Sequence, residues 1–263
     1  MKFLYFRTFV KYPLFMEATY IETQQISFQD FKNQILEDYK LGRISREMSY
    51  LGRREVLTGK AKFGIFGDGK ELPQLAMAKV FKNGDFRSGY YRDQTFAMAI
   101  NAVSVESFFA QLYADTSVER EPASAGRQMN GHYATRSLNE DGSWKNLMQQ
   151  KNISSDISPT AGQMPRLLGL AMASKVYKSV KFEGSEKFSN EGNEVAFGTI
   201  GDASTAEGHF WETLNAACAL RVPMIVSIWD DGYGISVPTQ NQRAKADIAE
   251  MLSGFQRTEG QHQ

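Results

Sequence analysis

Two short apolar runs constrain the fold of this chain more than any other feature. Val195-Ala196-Phe197-Gly198-Thr199-Ile200 and Val222-Pro223-Met224-Ile225-Val226-Ser227-Ile228-Trp229 are almost continuously hydrophobic over strand-like lengths, the pattern of strands buried on both faces. Between them, Thr205 to Leu220 reads as helix. Strand, helix, strand in this order predicts a βαβ unit with parallel strands and a right-handed crossover. The expected class is therefore α/β, an open and mostly parallel sheet flanked by helices.

The rest of the chain fits around that unit. Ser27 to Leu57 has helical periodicity, with Phe28, Phe31, Ile35, Leu36 and Tyr39 spaced by three or four among charged residues. Further helices are predicted at Leu72 to Phe81, Gln94 to Tyr113 and Pro159 to Lys178, the last crowded with Ala and Gly. Residues 114–155 are polar and too long for an ordinary connector; such a loop carries function or takes its order from a ligand. One domain is expected over 27–263, preceded by an N-terminal extension at 1–26, with Met16 as an alternative start.

Composition removes several classes. Thirty Lys and Arg balance thirty Asp and Glu, which is no electrostatic footprint for nucleic acid. In the opening segment Arg7 and Lys11 interrupt the apolar run, which argues against a signal peptide. No stretch approaches the roughly 18 apolar residues of a membrane span, so a soluble, cytoplasmic protein is expected. The single cysteine, Cys218, excludes an internal disulfide and suits a reducing compartment. Its neighbours Ala216, Ala217 and Ala219 suggest a buried helix face.

Ligands of open parallel sheets collect outside the carboxyl ends of the strands. There the first run gives Gly201-Asp202-Ala203-Ser204 and the second Asp230-Asp231-Gly232-Tyr233-Gly234. Gly201, Ala203 and Ser204 are small enough for backbone N–H groups to approach a phosphate at the start of a helix. Asp202 and Asp231 offer oxygens to Mg²⁺, which favours carboxylates combined with phosphate and water. Taken singly, Asp202 also suits a helix N-cap and Asp230-Asp231-Gly232 a solvated turn; two such signals at the ends of consecutive buried strands favour a site. Gly67-Asp68-Gly69 follows a poor strand, Phe63 to Phe66, and reads as a turn.

Gly201-Asp202-Ala203, twenty-six further residues, then Asp230-Asp231-Gly232-Tyr233-Gly234-Ile235-Ser236 resembles the thiamine diphosphate motif of the 2-oxo acid dehydrogenase alpha subunits. Three further segments agree with that family in order, and are most similar to its branched-chain member: Tyr91-Arg92-Asp93, Gly126-Arg127-Gln128-Met129 followed by His132-Tyr133, and Ser158-Pro159-Thr160-Ala161-Gly162-Gln163. The resemblance runs from about residue 60 to 245 and implies the thiamine diphosphate-binding fold. It implies Asp202, Asp231 and the Tyr233 carbonyl as Mg²⁺ ligands. Tyr91 and Arg92 would hold the diphosphate, with Gly201 and the backbone of Ala203 and Ser204. Ser158 and Thr160 fall at the aminopyrimidine, and His132 at the active-site histidine that faces cofactor and substrate. Ser158, Pro159 and Gln163 fall at a potassium-ordered loop, where Gly162 replaces a Thr and potassium is the weakest of the implied ligands. The Asp230-Asp231 pair departs from the family's Asn-Asn and adds negative charge beside a diphosphate. His209 and His262 match no functional position.

The implied reaction is oxidative decarboxylation of a 2-oxo acid, a branched-chain one favoured, with acyl transfer to a lipoyl group on a partner acyltransferase. The implied partner is a beta subunit or fused beta-like domain in a hetero- or homo-oligomer; neither nucleic acid nor membrane is expected. The chain lacks a segment resembling that second domain and stops short of the alpha subunit's full length, so inactivity in isolation is expected. Rival readings are an acetoin dehydrogenase, a transketolase-like enzyme, or a nucleotide-binding module. Against the last, neither Gly-x-Gly-x-x-Gly after a strand nor a P-loop occurs.

Overall fold

A computed structural model describes residues 26–245 and 247–255; Met1, Met16, His262 and most of the N-terminal extension lie outside the described residues. Two compact units divide at Lys40/Leu41. Of the first, residues 28–40 form the opening part of helix α1 (Phe28–Leu57). The second holds the sheet and everything described below.

Four parallel strands run in the order β2 (Asn152–Ile153), β1 (Phe86–Ser88), β3 (Ala196–Gly201), β4 (Met224–Trp229). β3 is central and buried from Ala196 to Ile200, and its side chains alternate between two cores. Ala196 and Ile200 join Met164, Leu167, Ala171 and Phe210 beneath helices α5 (Gln163–Tyr177) and α6 (Gly208–Leu220). Phe197 faces the opposite way, into Phe81, Phe96 and Phe108 from helices α2 (Glu71–Val80), α3 (Gln94–Ala99) and α4 (Val105–Leu112) and their flanks. Its ring meets Phe81 edge to face at 5.1 Å, a favoured aromatic geometry. The close approach of α5 depends on the strand: a Cβ at Gly198 would strike the Leu167 side chain.

The parallel βαβ unit is present as expected, with β3 and β4 paired from Ala196↔Met224 to Gly201↔Trp229. Four expectations need correction. β4 is not buried on both faces: it is an edge strand among the described residues, and Ile225 is 41% exposed. Cys218 is exposed, because α6 turns Phe210, Thr213 and Ala217 inward and the next position is rotated away. The helix expected over Gln94 to Tyr113 is two, since Asn101 is left-handed and Ser104 caps a new start through reciprocal bonds with Ser107. The helix expected from Pro159 begins at Gln163, after a turn in which Ala161 has positive φ.

Between α4 and β2 the long polar segment orders itself. Buried Glu121 accepts from the amides of Ala123, Ser124 and Gly126 and from the Ser124 hydroxyl, while Asn130 exchanges two bonds with the backbone of Ile65. A two-stranded hairpin, β5 (Tyr233–Gly234) with β6 (Val237–Pro238), follows β4, and α7 (Ile248–Leu252) packs Ile248 into the α5–α6 core. Among the described residues no helix is long and apolar enough to cross a membrane.

Candidate functional site

β3 and β4 end in register, Gly201 beside Trp229, so the residues that follow each strand emerge side by side. Asp202 is 2% exposed, and its Oδ2 has no hydrogen-bond partner. Burial, then the charges of Asp230 and Asp231, push its carboxyl up to about 6. Arg243 stands at 4.0 Å from that same oxygen, too far for a hydrogen bond. Asp231 accepts from Lys70 Nζ at 2.9 Å and, through its other oxygen, from the Tyr233 amide. Asp230 accepts from the Gly232 amide. Three carboxylates are thus gathered at the strand ends with one buried oxygen unsatisfied, which costs free energy unless a cation or proton joins it.

Beside this cluster the chain turns through Tyr90-Tyr91-Arg92. The Tyr90 hydroxyl is buried without a partner next to Gly201, and burial raises its pKa well above the ordinary tyrosine value. Tyr91 packs its ring edge against Tyr90 at 5.1 Å and stacks on His132 at 6.4 Å. Arg92 donates through Nη1 to the Phe66 carbonyl at 2.8 Å, leaving its other donors for an anion.

His132 is 4% exposed. Its Nδ1 faces two acceptors, the carbonyls of Met129 and Asn130, each at 3.2 Å, so Nδ1 carries the hydrogen and Nε2 accepts from the Ser158 hydroxyl at 2.8 Å. Its peptide is clamped on both sides by Gln111 of α4, which receives its N–H and donates to its C=O.

The structure therefore brings together Asp202 with Asp231, Tyr91 with His132 and Ser158, and Gly201 with Tyr90. Ser204 lies on the short 3₁₀ turn after β3, with Ala203 against Gly234. Thr160 is exposed and makes no hydrogen bond to the other expected residues. Among the described residues, no group of three or more His, Cys, Asp or Glu side chains is arranged to hold a metal. Sequence reasoning missed Lys70, Tyr90, Gln111 and Arg243. Lys70 follows the Gly67-Asp68-Gly69 turn and meets its partner 161 positions away, and Gln111, mid-helix, carried no signal either.

A fully buried ion network braces this floor. Arg87 on β1 pairs with Asp93 at 2.5 Å and Asp156 at 3.1 Å, all without solvent exposure. Asp93 also accepts from Thr199 and from Trp229 Nε1, and Asp156 from the Tyr133 amide. One guanidinium thus ties the 90–93, 132–133 and 156–158 segments to β1, β3 and β4.

The chain is 28% identical over 218 residues to the 2-oxoisovalerate dehydrogenase subunit alpha of Bacillus subtilis (strain 168), covering 81% of this chain and 54% of that protein. It is 25% identical over 224 residues to the mitochondrial 2-oxoisovalerate dehydrogenase subunit alpha of Homo sapiens, covering 85% and 43%. Over 87 residues it is 34% identical to the pyruvate dehydrogenase E1 component subunit alpha of Acholeplasma laidlawii, a third of this chain. It spans about half the length of the first two relatives. The family model described as dehydrogenase E1 component matches residues 39–256, and the chain belongs to that family.

Proposed function

We propose that this chain is the alpha part of a thiamine diphosphate- and Mg²⁺-dependent 2-oxo acid dehydrogenase acting on a branched-chain 2-oxo acid. The observation that carries the reading is the unsatisfied, buried Asp202 Oδ2 beside Asp230 and Asp231 at the ends of two parallel strands. Such a position suits Mg²⁺, which takes one or two carboxylates and completes its shell with phosphate and water, and needs no all-protein cage. Asp202 and Asp231 would hold the metal with the Tyr233 carbonyl. Tyr91 and Arg92 would meet the diphosphate, Arg92 by charge-assisted bonds, together with Gly201 and the amides of Ala203 and Ser204. Ser158 and Thr160 would face the aminopyrimidine.

When bound, thiamine diphosphate supplies the electron sink that decarboxylation of a 2-oxo acid requires. The chain's own contribution is position and charge. With Nδ1–H committed to two carbonyls, His132 presents Nε2 toward Ser158; a proton taken up at Nε2 would make a cation suited to the substrate carboxylate. The acyl group would pass to a lipoyl group of a partner acyltransferase, and a beta subunit or beta-like domain would complete the site. Ser158, Pro159 and Gln163 would hold potassium, and the protein would work in the cytoplasm.

Thermal melting tests the cofactor. Thiamine diphosphate with Mg²⁺ is expected to raise Tm weakly in the isolated chain and more with a beta partner present; equal stabilisation by NAD, or none in either setting, would defeat the reading. Release of labelled carbon dioxide from branched 2-oxo acids, against turnover of acetoin, tests the substrate.

A further inference from the structure

We propose that Lys70 is a diphosphate-binding residue whose ammonium, before loading, is held on the metal-site carboxylate Asp231 and is released to the diphosphate when Mg²⁺ takes that carboxylate. The inference rests on the Mg²⁺–diphosphate reading of the strand ends. Lysine is rarely withdrawn from water without a partner, and the Lys70 side chain is only 11% exposed, with Nζ 2.9 Å from Asp231 Oδ2.

Its position is fixed from both sides. On one side the turn before α2 is locked onto the arginine assigned to the diphosphate. The Phe66 carbonyl accepts from Arg92 Nη1 at 2.8 Å, and Gln74 donates to the Arg92 carbonyl at 2.9 Å. Gly67 lies so close to that carbonyl that any Cβ would strike it. On the other side Arg46 grips Glu71 with two bonds of 2.6 Å, and Glu71 accepts from the Gly69 amide at 3.1 and 3.2 Å. Lys70 therefore stands between Arg92 and the end of β4, although 161 positions separate it from Asp231.

Charge then sets its role. Asp202, Asp230 and Asp231 emerge from the paired ends of β3 and β4 with one buried carboxylate oxygen unbonded, and a diphosphate adds more negative charge than one Mg²⁺ offsets beside them. An ammonium at this spot removes part of that excess, and lysine binds phosphate as a point charge. Mg²⁺ and the ammonium compete for the same Asp231 oxygens, so Lys70 opposes the bare metal and favours the metal with diphosphate.

Opposite signs make the test. Mg²⁺ alone, and Mg²⁺ with inorganic diphosphate, would be titrated calorimetrically into the full chain and its Lys70→Gln and Lys70→Arg variants, with circular dichroism to verify folding. Lys70→Gln should bind Mg²⁺ alone about 3-fold more tightly and Mg²⁺-diphosphate about 10-fold more weakly; Lys70→Arg should keep most of the diphosphate affinity. Both affinities moving the same way, or neither moving, would overturn the assignment. If the wild-type chain takes Mg²⁺-diphosphate with these signs but never thiamine diphosphate, even beside a beta partner, the proposed function falls and Lys70 stands. If it takes no Mg²⁺-diphosphate, alone or beside a beta partner, both fall.

Discussion

Two acidic clusters sit near the same end of the sheet and are wired in opposite ways. Around Arg87, the carboxylates of Asp93 and Asp156 are fully buried, yet each is tied to the guanidinium and further donors: Thr199 and Trp229 for one, the Tyr133 amide for the other. Around Asp202, three carboxylates gather, and one buried oxygen has no partner. In the first cluster every carboxylate oxygen is bonded; in the second Lys70 and Arg243 stand close, yet one buried oxygen accepts no hydrogen bond. Buried charge that is paired and bonded holds a structure together, and buried charge left unsatisfied marks a place for something else.

The largest effect should come from breaking the paired cluster. Arg87→Met strands two buried carboxylates and should cost about 3–5 kcal/mol, read by urea denaturation; a cost near zero would mean that the network is looser than its distances. Trp229→Phe removes one bond to a charged acceptor and should cost about 1–2 kcal/mol. In the unpaired cluster the sign reverses: Asp202→Asn should stabilise the ligand-free chain by about 1 kcal/mol at neutral pH while abolishing Mg²⁺-dependent binding. Loss of stability and of binding together would erase the contrast.

The pH dependence follows from the same carboxyl. Unfolded, an aspartate titrates at about 3.9; folded, Asp202 is pushed up to about 6. The folded chain thus holds the proton more tightly, so this contribution to stability is complete below about pH 4 and is lost as pH rises through about 6. Denaturation midpoints measured across that window should show the wild type losing stability relative to Asp202→Asn as pH rises through about 6. Smallest of all, Arg43→Ala at the solvated Arg43–Glu47 pair should change stability by at most about 0.5 kcal/mol.

These contrasts bear on what the chain disclosed before its structure. β3 and β4 were legible because long apolar runs admit few other readings, and the strand-end carboxylates because topology says where ligands collect. β1 and β2 were not. They are three and two residues long, too short for any periodicity, and the arginine inside β1 reads as a surface residue until Asp93 and Asp156 are seen around it. Lys70 was hidden for a related reason: its partner lies across the fold, and the glycines before it spoke only of a turn. The exposure of β4 and Cys218 was illegible too, since an apolar strand or helix face does not announce which side will be covered.

The double clamp of Gln111 on the His132 peptide has a consequence for variation. The far part of the long segment, Asn139 to Ser143, bonds mainly to itself and surrounds Gly142, which has open space about it. Histidine placement depends on α4 and not on that tip. The tip can therefore lengthen, shorten or carry a fluorescent label while the imidazole stays where it is, and related chains are free to diverge there without altering their chemistry.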